Sequence, residues 1–198
     1  GGELTIGAGY GLKVNNVEGA TIENLTLESS ADGNAAFTFL SGSPSATVEM
    51  YSKANQDNKP QWQYMGVAVN KVDENNCAKA SNFSGAWLLK WEEKDNVTGD
   101  PWTDAPLATN IPLTPWTGYS ISQPTAKTYS MKGTLMNGNH KYTLTRTTRE
   151  GDTQDPDCGF NLLANSYTAP IDITKLTTSD FVNADACIIL YNTGTYEQ

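Results

Sequence analysis

The chain holds one histidine, His140, two residues after the dipeptide Asn137-Gly138. A Ser-His-Asp relay would have to pass its proton through that imidazole. No Gly-x-Ser-x-Gly turn is present to present a serine to it. His140 therefore reads as an exposed turn residue, and a zinc site, which needs at least three protein ligands, is not built on it. Carboxylates are plentiful: Glu92, Glu93, Asp95, Asp100, Asp104, Asp152, Asp155, Asp157 and Asp172. A glycosidase needs two of them across a cleft, but in so acidic a chain most serve to solvate the surface. A glycoside hydrolase fragment is thus the weakest of three readings. Calcium suits the same residues better. The runs Asp95-Asn-Val-Thr-Gly-Asp100 and Asp152-Thr-Gln-Asp155-Pro-Asp157 are dense in oxygen ligands. Neither has the helix-loop-helix spacing, and both also read as ordinary Asp/Asn/Gly turns. The expectation is no cofactor, with a structural calcium at Asp95, Asp100, Asp152, Asp155 and Asp157 as the one exception to test.

Five tryptophans and nine tyrosines are the other chemical resource. Aromatic faces stack on sugar rings while carboxylates and amides bond the hydroxyls. Trp87 and Trp91 share a strand face with Leu89, which favours a place in the core, and Trp62 with Tyr64 reads the same way. Trp102 differs, since it lies in a loop between Asp100 and Asp104. Trp116 follows Pro115 in a Pro/Thr/Gly stretch, with Tyr119 just after it. The ligand-facing candidates are Trp102, Trp116 and Tyr119, assisted by Asp100 and Asp104. Asn24, Asn82 and Asn96 lie in Asn-x-Ser/Thr triplets, which matter only in a host that glycosylates them.

The whole chain carries 13 Lys+Arg against 22 Asp+Glu, a net charge of −9. That balance disfavours nucleic acid and anionic membrane surfaces as partners. No apolar run approaches the length of a membrane helix. At 198 residues the chain suits one large all-β domain, or one with an appendage. It opens on Gly1-Gly2 in repeat-like sequence and is read as a mature or trimmed piece of something longer. Cys77 and Cys158 lie in polar loops and can pair in an oxidising compartment. Cys187, in Ala186-Cys-Ile-Ile-Leu-Tyr191, is expected to be buried and unpaired in a strand.

These residues must be positioned by short strands, because no long segment of helical period occurs. Residues 1–45 alternate at Leu4/Ile6, Leu12/Val14 and Leu25/Leu27 between Gly, Asn and Asp turns. They predict β-rungs or hairpins, an edge of a longer stack that forms an appendage to a main unit over 46–198. Further strands are predicted at 47–51, 61–69, 86–91, 113–121, 129–135, 141–146 and 186–191. Asn137-Gly138 between two alternating runs is a strong hairpin signal. Thr177-Thr-Ser-Asp180 has the residues to cap one helical turn. The fold class is all-β, an antiparallel, jelly-roll-like β-sandwich preceded by rungs.

The most distinctive run is Gly159-Phe-Asn-Leu-Leu-Ala-Asn-Ser-Tyr-Thr-Ala-Pro-Ile-Asp172. Phe160, Leu162 and Leu163 suit a strand, Asn165 and Ser166 a side-chain-bonded turn, and Pro170 a fixed corner. The run resembles the GWNLIGNPYPSAIDW-type signature of large surface and secreted proteins of Bacteroidetes. Residues 1–45 resemble the rungs that precede it there, Trp62 to Val69 a preceding strand, and Leu113 to Ile121 its "L..GKGYLV" element. Ala164, Ser166 and Thr168 replace Gly, Pro and Pro of the signature, and Trp116 replaces a small residue. The resemblance implies a secreted or cell-surface, adhesin-like protein, usually followed by a sorting segment. With the lack of a catalytic constellation, the reading is a non-catalytic module, with a glycan or a cell-surface protein as the expected partner. It transfers no catalytic residue.

Overall fold

The computed structural model of the chain describes residues 2–15, 22–53, 61–71, 77–93, 101–103, 107–108, 110–147 and 159–190. Among these the regular structure is all strand apart from three single turns of 3-10 helix. The strands are β1 (Gly2–Ile6), β2 (Gly11–Val14), β3 (Ile22–Leu27), β4 (Ser29–Ser30), β5 (Gly33–Asn34) and β6 (Ala36–Phe39). They continue as β7 (Ser45–Ser52), β8 (Gln63–Met65), β9 (Val69–Asn70), β10 (Trp87–Lys90), β11 (Tyr119–Ser122) and β12 (Lys127–Leu135). They form four separate sheets, none closed.

The first strands pair in parallel, β1 with β3, β3 with β7 and β2 with β6. Parallel pairing cannot come from tight hairpins, so these strands are rungs of a short coil. The registers stack Leu4, Leu25 and Ala46 in one column and Ile6, Leu27 and Val48 in the next. In the second row Leu12 lies beside Phe37 and Val14 beside Phe39. This is the period-2 alternation of the sequence repeated down a ladder. The ladder does not stop at residue 45, since β7 also pairs antiparallel with β12, which pairs with β9. The order of the five-stranded sheet is β1-β3-β7-β12-β9.

A second sheet, β10-β11-β8, is antiparallel throughout. Its buried side chains Leu88, Tyr119, Ile121 and Met65 belong to one cluster with Leu27, Val48, Tyr129 and Met131 of the larger sheet. Phe83, in the turn Ala80–Phe83, joins them with its ring 5.1 Å from that of Tyr129.

Three sequence expectations fail here. Residues 141–146 form no strand, so Asn137-Gly138 turns the chain without making a hairpin. At its C-terminal end β12 is already flanked by β7 on one side and β9 on the other. A returning strand would find no free edge there. The apolar run at 186–190 is likewise not a strand, and Ile188, Ile189 and Leu190 are exposed. Cys187 is exposed with them, a correction to its expected burial, while Cys77 is buried. Its possible partner Cys158 lies outside the described residues. Brief alkylation followed by peptide mapping is expected to modify Cys187 within minutes and Cys77 far more slowly; protection of Cys187 would mean that residues 186–190 pack in solution. Thr177 and Asp180 do form the reciprocal cap, around the turn Thr178–Asp180.

Candidate functional site

The outer face of the small sheet collects several tryptophan and tyrosine side chains. Gln63 is directed inward, donating through Nε2 to the Oγ of buried Ser52 at 3.1 Å. Trp62 and Tyr64 therefore point outward, since side chains alternate along a strand. On β10, Leu88 is buried, so Trp87 and Leu89 point outward too. That reverses the sequence expectation for this strand: Trp87 is 55% exposed. Both faces of residues 86–91 carry apolar side chains. The core takes the aliphatic Leu88, which meets Ile121 across the register, and leaves the indoles outside. Between these strands β11 presents only small outward residues, Ser120 and Ser122, both buried.

The face has three sections. At one end lies the signature segment. Leu162 accepts from Gly118 N at 3.1 Å, and Ala164 N donates to the Trp116 carbonyl at 3.2 Å. Leu163 and Thr117 form an antiparallel bridge. The approach is so close that a Cβ on Gly118 would lie 3.0 Å from the Leu162 carbonyl, and one on Gly66 would overlap the Ala164 methyl. The segment continues past buried Ser166, whose Oγ accepts from Trp116 N at 2.7 Å. The side chain of Asn165 caps its own turn, accepting from Tyr167 N at 2.9 Å. Thr168 reaches the first rungs, where Phe37 N donates to its carbonyl at 3.0 Å and its Oγ1 donates to the Phe37 carbonyl at 2.6 Å. The signature thus ties the small sheet to the N-terminal coil. Asp172 ends it by capping the turn Ile173–Lys175.

The middle section is capped by Trp102. Residues 101–103 run antiparallel to 90–92, with Thr103 N donating to the Lys90 carbonyl at 3.1 Å and Glu92 N to the Pro101 carbonyl at 2.7 Å. Trp102 lies half-buried, its ring 5.2 Å from Trp91 and 5.5 Å from Tyr64. Trp91 Nε1 donates to the Phe160 carbonyl at 2.8 Å, which joins this section to the signature. Trp102→Ala is expected to lower stability by about 2 kcal/mol, roughly half the value for a fully buried aromatic. A melting temperature unchanged by calorimetry would contradict the capping role.

The other candidates divide. Tyr119 is 2% exposed, its hydroxyl accepting from Thr114 N at 2.8 Å. It is a core residue with its hydroxyl engaged inside the fold, not the exposed aromatic that the sequence reading expected. Trp116 is half-buried at φ 67°, the left-handed region where the resembled element has a small residue. Such a conformation costs a side-chain-bearing residue about 1–2 kcal/mol. The bond to Ser166 and a stack on exposed His140 at 4.1 Å hold it there. Asp95, Asp100, Asp104, Asp152, Asp155 and Asp157 all lie outside the described residues. Among the described residues no group of three or more His, Cys, Asp or Glu gathers around a possible metal position.

Glu93 is the residue that the sequence did not distinguish. It is 7% exposed, and its carboxylate accepts from Thr147 N at 2.8 Å, Thr145 Oγ1 at 2.9 Å, Thr147 Oγ1 at 3.0 Å and Gly159 N at 3.1 Å. Burial pushes its pKa up, but these four donors outweigh it and hold the carboxyl below its ordinary value. Asn161 adds a bond from Nδ2 to the Thr145 carbonyl at 2.8 Å. Residues 145–147 and the start of the signature are thereby anchored to the end of β10.

No family model and no solved structure matches the chain. One likeness is to a fimbrial protein. The chain is 30% identical over 215 residues to the minor fimbrium subunit Mfa5 of Porphyromonas gingivalis. The match takes in 99% of this chain and 16% of Mfa5. The chain therefore spans about a sixth of the length of this relative. Its coverage here runs through the rungs, both larger sheets and the signature alike. No helix among the described residues is long and apolar enough to cross a membrane.

Proposed function

We infer that the chain is a non-catalytic module of a cell-surface or extracellular protein, serving adhesion or fibre structure and assembling with other proteins. The observation that carries this is the similarity to Mfa5 over nearly the whole chain. The resemblance of residues 159–172 to a Bacteroidetes surface-protein signature supports the same reading. So does the use made of the distinctive residues. The signature, Trp102 and Glu93 are engaged in joining strands and loops to one another, as a module built for mechanical coherence requires. The shared core of the five-stranded and three-stranded sheets supports reading them as the two facing layers of a sandwich-like unit.

The test is location and association in the organism that produces the protein. Surface fibres are sheared from intact cells, sedimented, and probed with an antibody raised to this chain. Recovery in the fibre fraction is expected. Confinement to the cytosol, with none on the surface, would overturn the reading.

A further inference from the structure

In the third section of the outer face two tryptophans are exposed. Continuing the antiparallel register of β11 and β8 by one residue sets Trp62 opposite Ser122, and Trp87 is paired with Ser122 from the other side. Two strand spacings put the two tryptophan backbones roughly 10 Å apart. Among the described residues of these strands, the small, buried Ser122 lies between them. Trp62 is 37% and Trp87 55% exposed, whereas Trp91, Trp102 and Tyr64 are half-buried and occupied with one another. We propose that Trp62 and Trp87 form a binding site for a neutral, extended, β-linked oligosaccharide, laid across Ser122 with one sugar ring on each indole.

Three features select that ligand. The first is spacing: a flat β-linked chain turns alternate rings to the same side at about the distance that separates these two positions. The second is the backbone. The strands below are paired with one another, so this face offers no ladder to an added peptide strand, which would bind at a sheet edge. A sugar needs only the apolar ring faces, with hydroxyl bonds to side chains and water at the rim. The third is charge. A chain of net charge −9 repels phosphorylated or nucleic-acid ligands that would otherwise also stack on indoles. The inference deepens the adhesive reading of the proposed function and rests on it.

The probe is a soluble β-1,4-linked glucose hexasaccharide, backed by an array of neutral glycans. Binding to the 198-residue chain is expected to perturb its tryptophan fluorescence. Trp62→Ala and Trp87→Ala are each expected to weaken binding about tenfold, the loss of one stacked aromatic, while the melting temperature stays close to that of the parent. A second readout needs no variant. Oxidation of Trp62 and Trp87 by N-bromosuccinimide, mapped by mass spectrometry, is expected to slow in the presence of the bound saccharide. Absence of binding to any neutral glycan would overturn the proposal. So would binding that survives the double substitution, or capture of a protein partner through these tryptophans without glycan binding. Failure here leaves fibre association intact, whereas glycan binding by a chain absent from the cell surface would defeat the proposed function alone.

Discussion

Gly66→Ala is expected to destabilise the chain by about 3 kcal/mol, a fall of roughly 6–12 °C in melting temperature for a chain of this size. Gly66 follows β8 on the outward side, and the signature crosses directly over it. An added Cβ would overlap the Ala164 methyl, with the Ala164 Cα 3.6 Å away and the Asn165 carbonyl 3.7 Å away. No positive φ is involved at Gly66, so the penalty is steric alone. It cannot be relieved by rotating a side chain, because a methyl carbon has nowhere to swing. The segment must lift, and the bonds at Trp116 and Gly118 that hold it must lengthen. Ala164→Gly removes the opposing methyl. Alone it is expected to cost under about 1 kcal/mol, and combined with Gly66→Ala it restores most of the lost stability. The expected coupling is about 2 kcal/mol, within the range for residues in contact. Additive losses in the double variant would show that the two positions do not touch.

The second large effect is at Glu93. Glu93→Ala is expected to cost about 3 kcal/mol, because four donors lose a charged acceptor in a place that water reaches poorly. Glu93→Gln keeps the shape but turns an amide N–H₂ toward groups that are themselves donors. The pH dependence follows from the direction of the shift. The folded-state pKa lies below the ordinary value of 4.5. The stabilisation is therefore fully present above about pH 4.5 and is lost as the pH falls through the folded value. The protection factors of the Thr147 and Gly159 amides, each taken relative to intrinsic exchange at the same pH and followed downward from pH 6, are expected to fall in that acid window. In Glu93→Gln the same amides should be less protected above that window and show no acid step. An identical acid step in the variant would assign it to another carboxylate.

Much of the ladder was legible because its signal is local. The alternations at Leu4/Ile6 and Leu25/Leu27 name the inward face of their strands, and the Asn165 turn and the Thr177–Asp180 cap need only neighbouring residues. What was not legible depends on partners far along the chain. Residues 86–91 are apolar on both faces, so periodicity alone cannot choose between Leu88 and the pair Trp87/Trp91. The choice is made by Ile121 and the larger sheet beneath it. The hairpin signal at Asn137-Gly138 is sound locally, yet the edge it needs is taken by β9. Glu93 looks like any surface carboxylate until residues 145–147 and 159 close over it. Gly66 and Ala164 carry no sign of each other in sequence, although together they set how closely the signature seats. The apolar run at 186–190 asks for burial that the described residues do not supply.

The most direct measurement of the central claim is attachment by cells that produce the protein, with and without residues 1–198. If the chain is an adhesive or fibre-building module, its removal lowers attachment or fibre content several-fold while growth is unchanged. Purified chain added in excess should also compete for attachment when the role is adhesive. Attachment and fibres both unaltered by the removal would contradict the account.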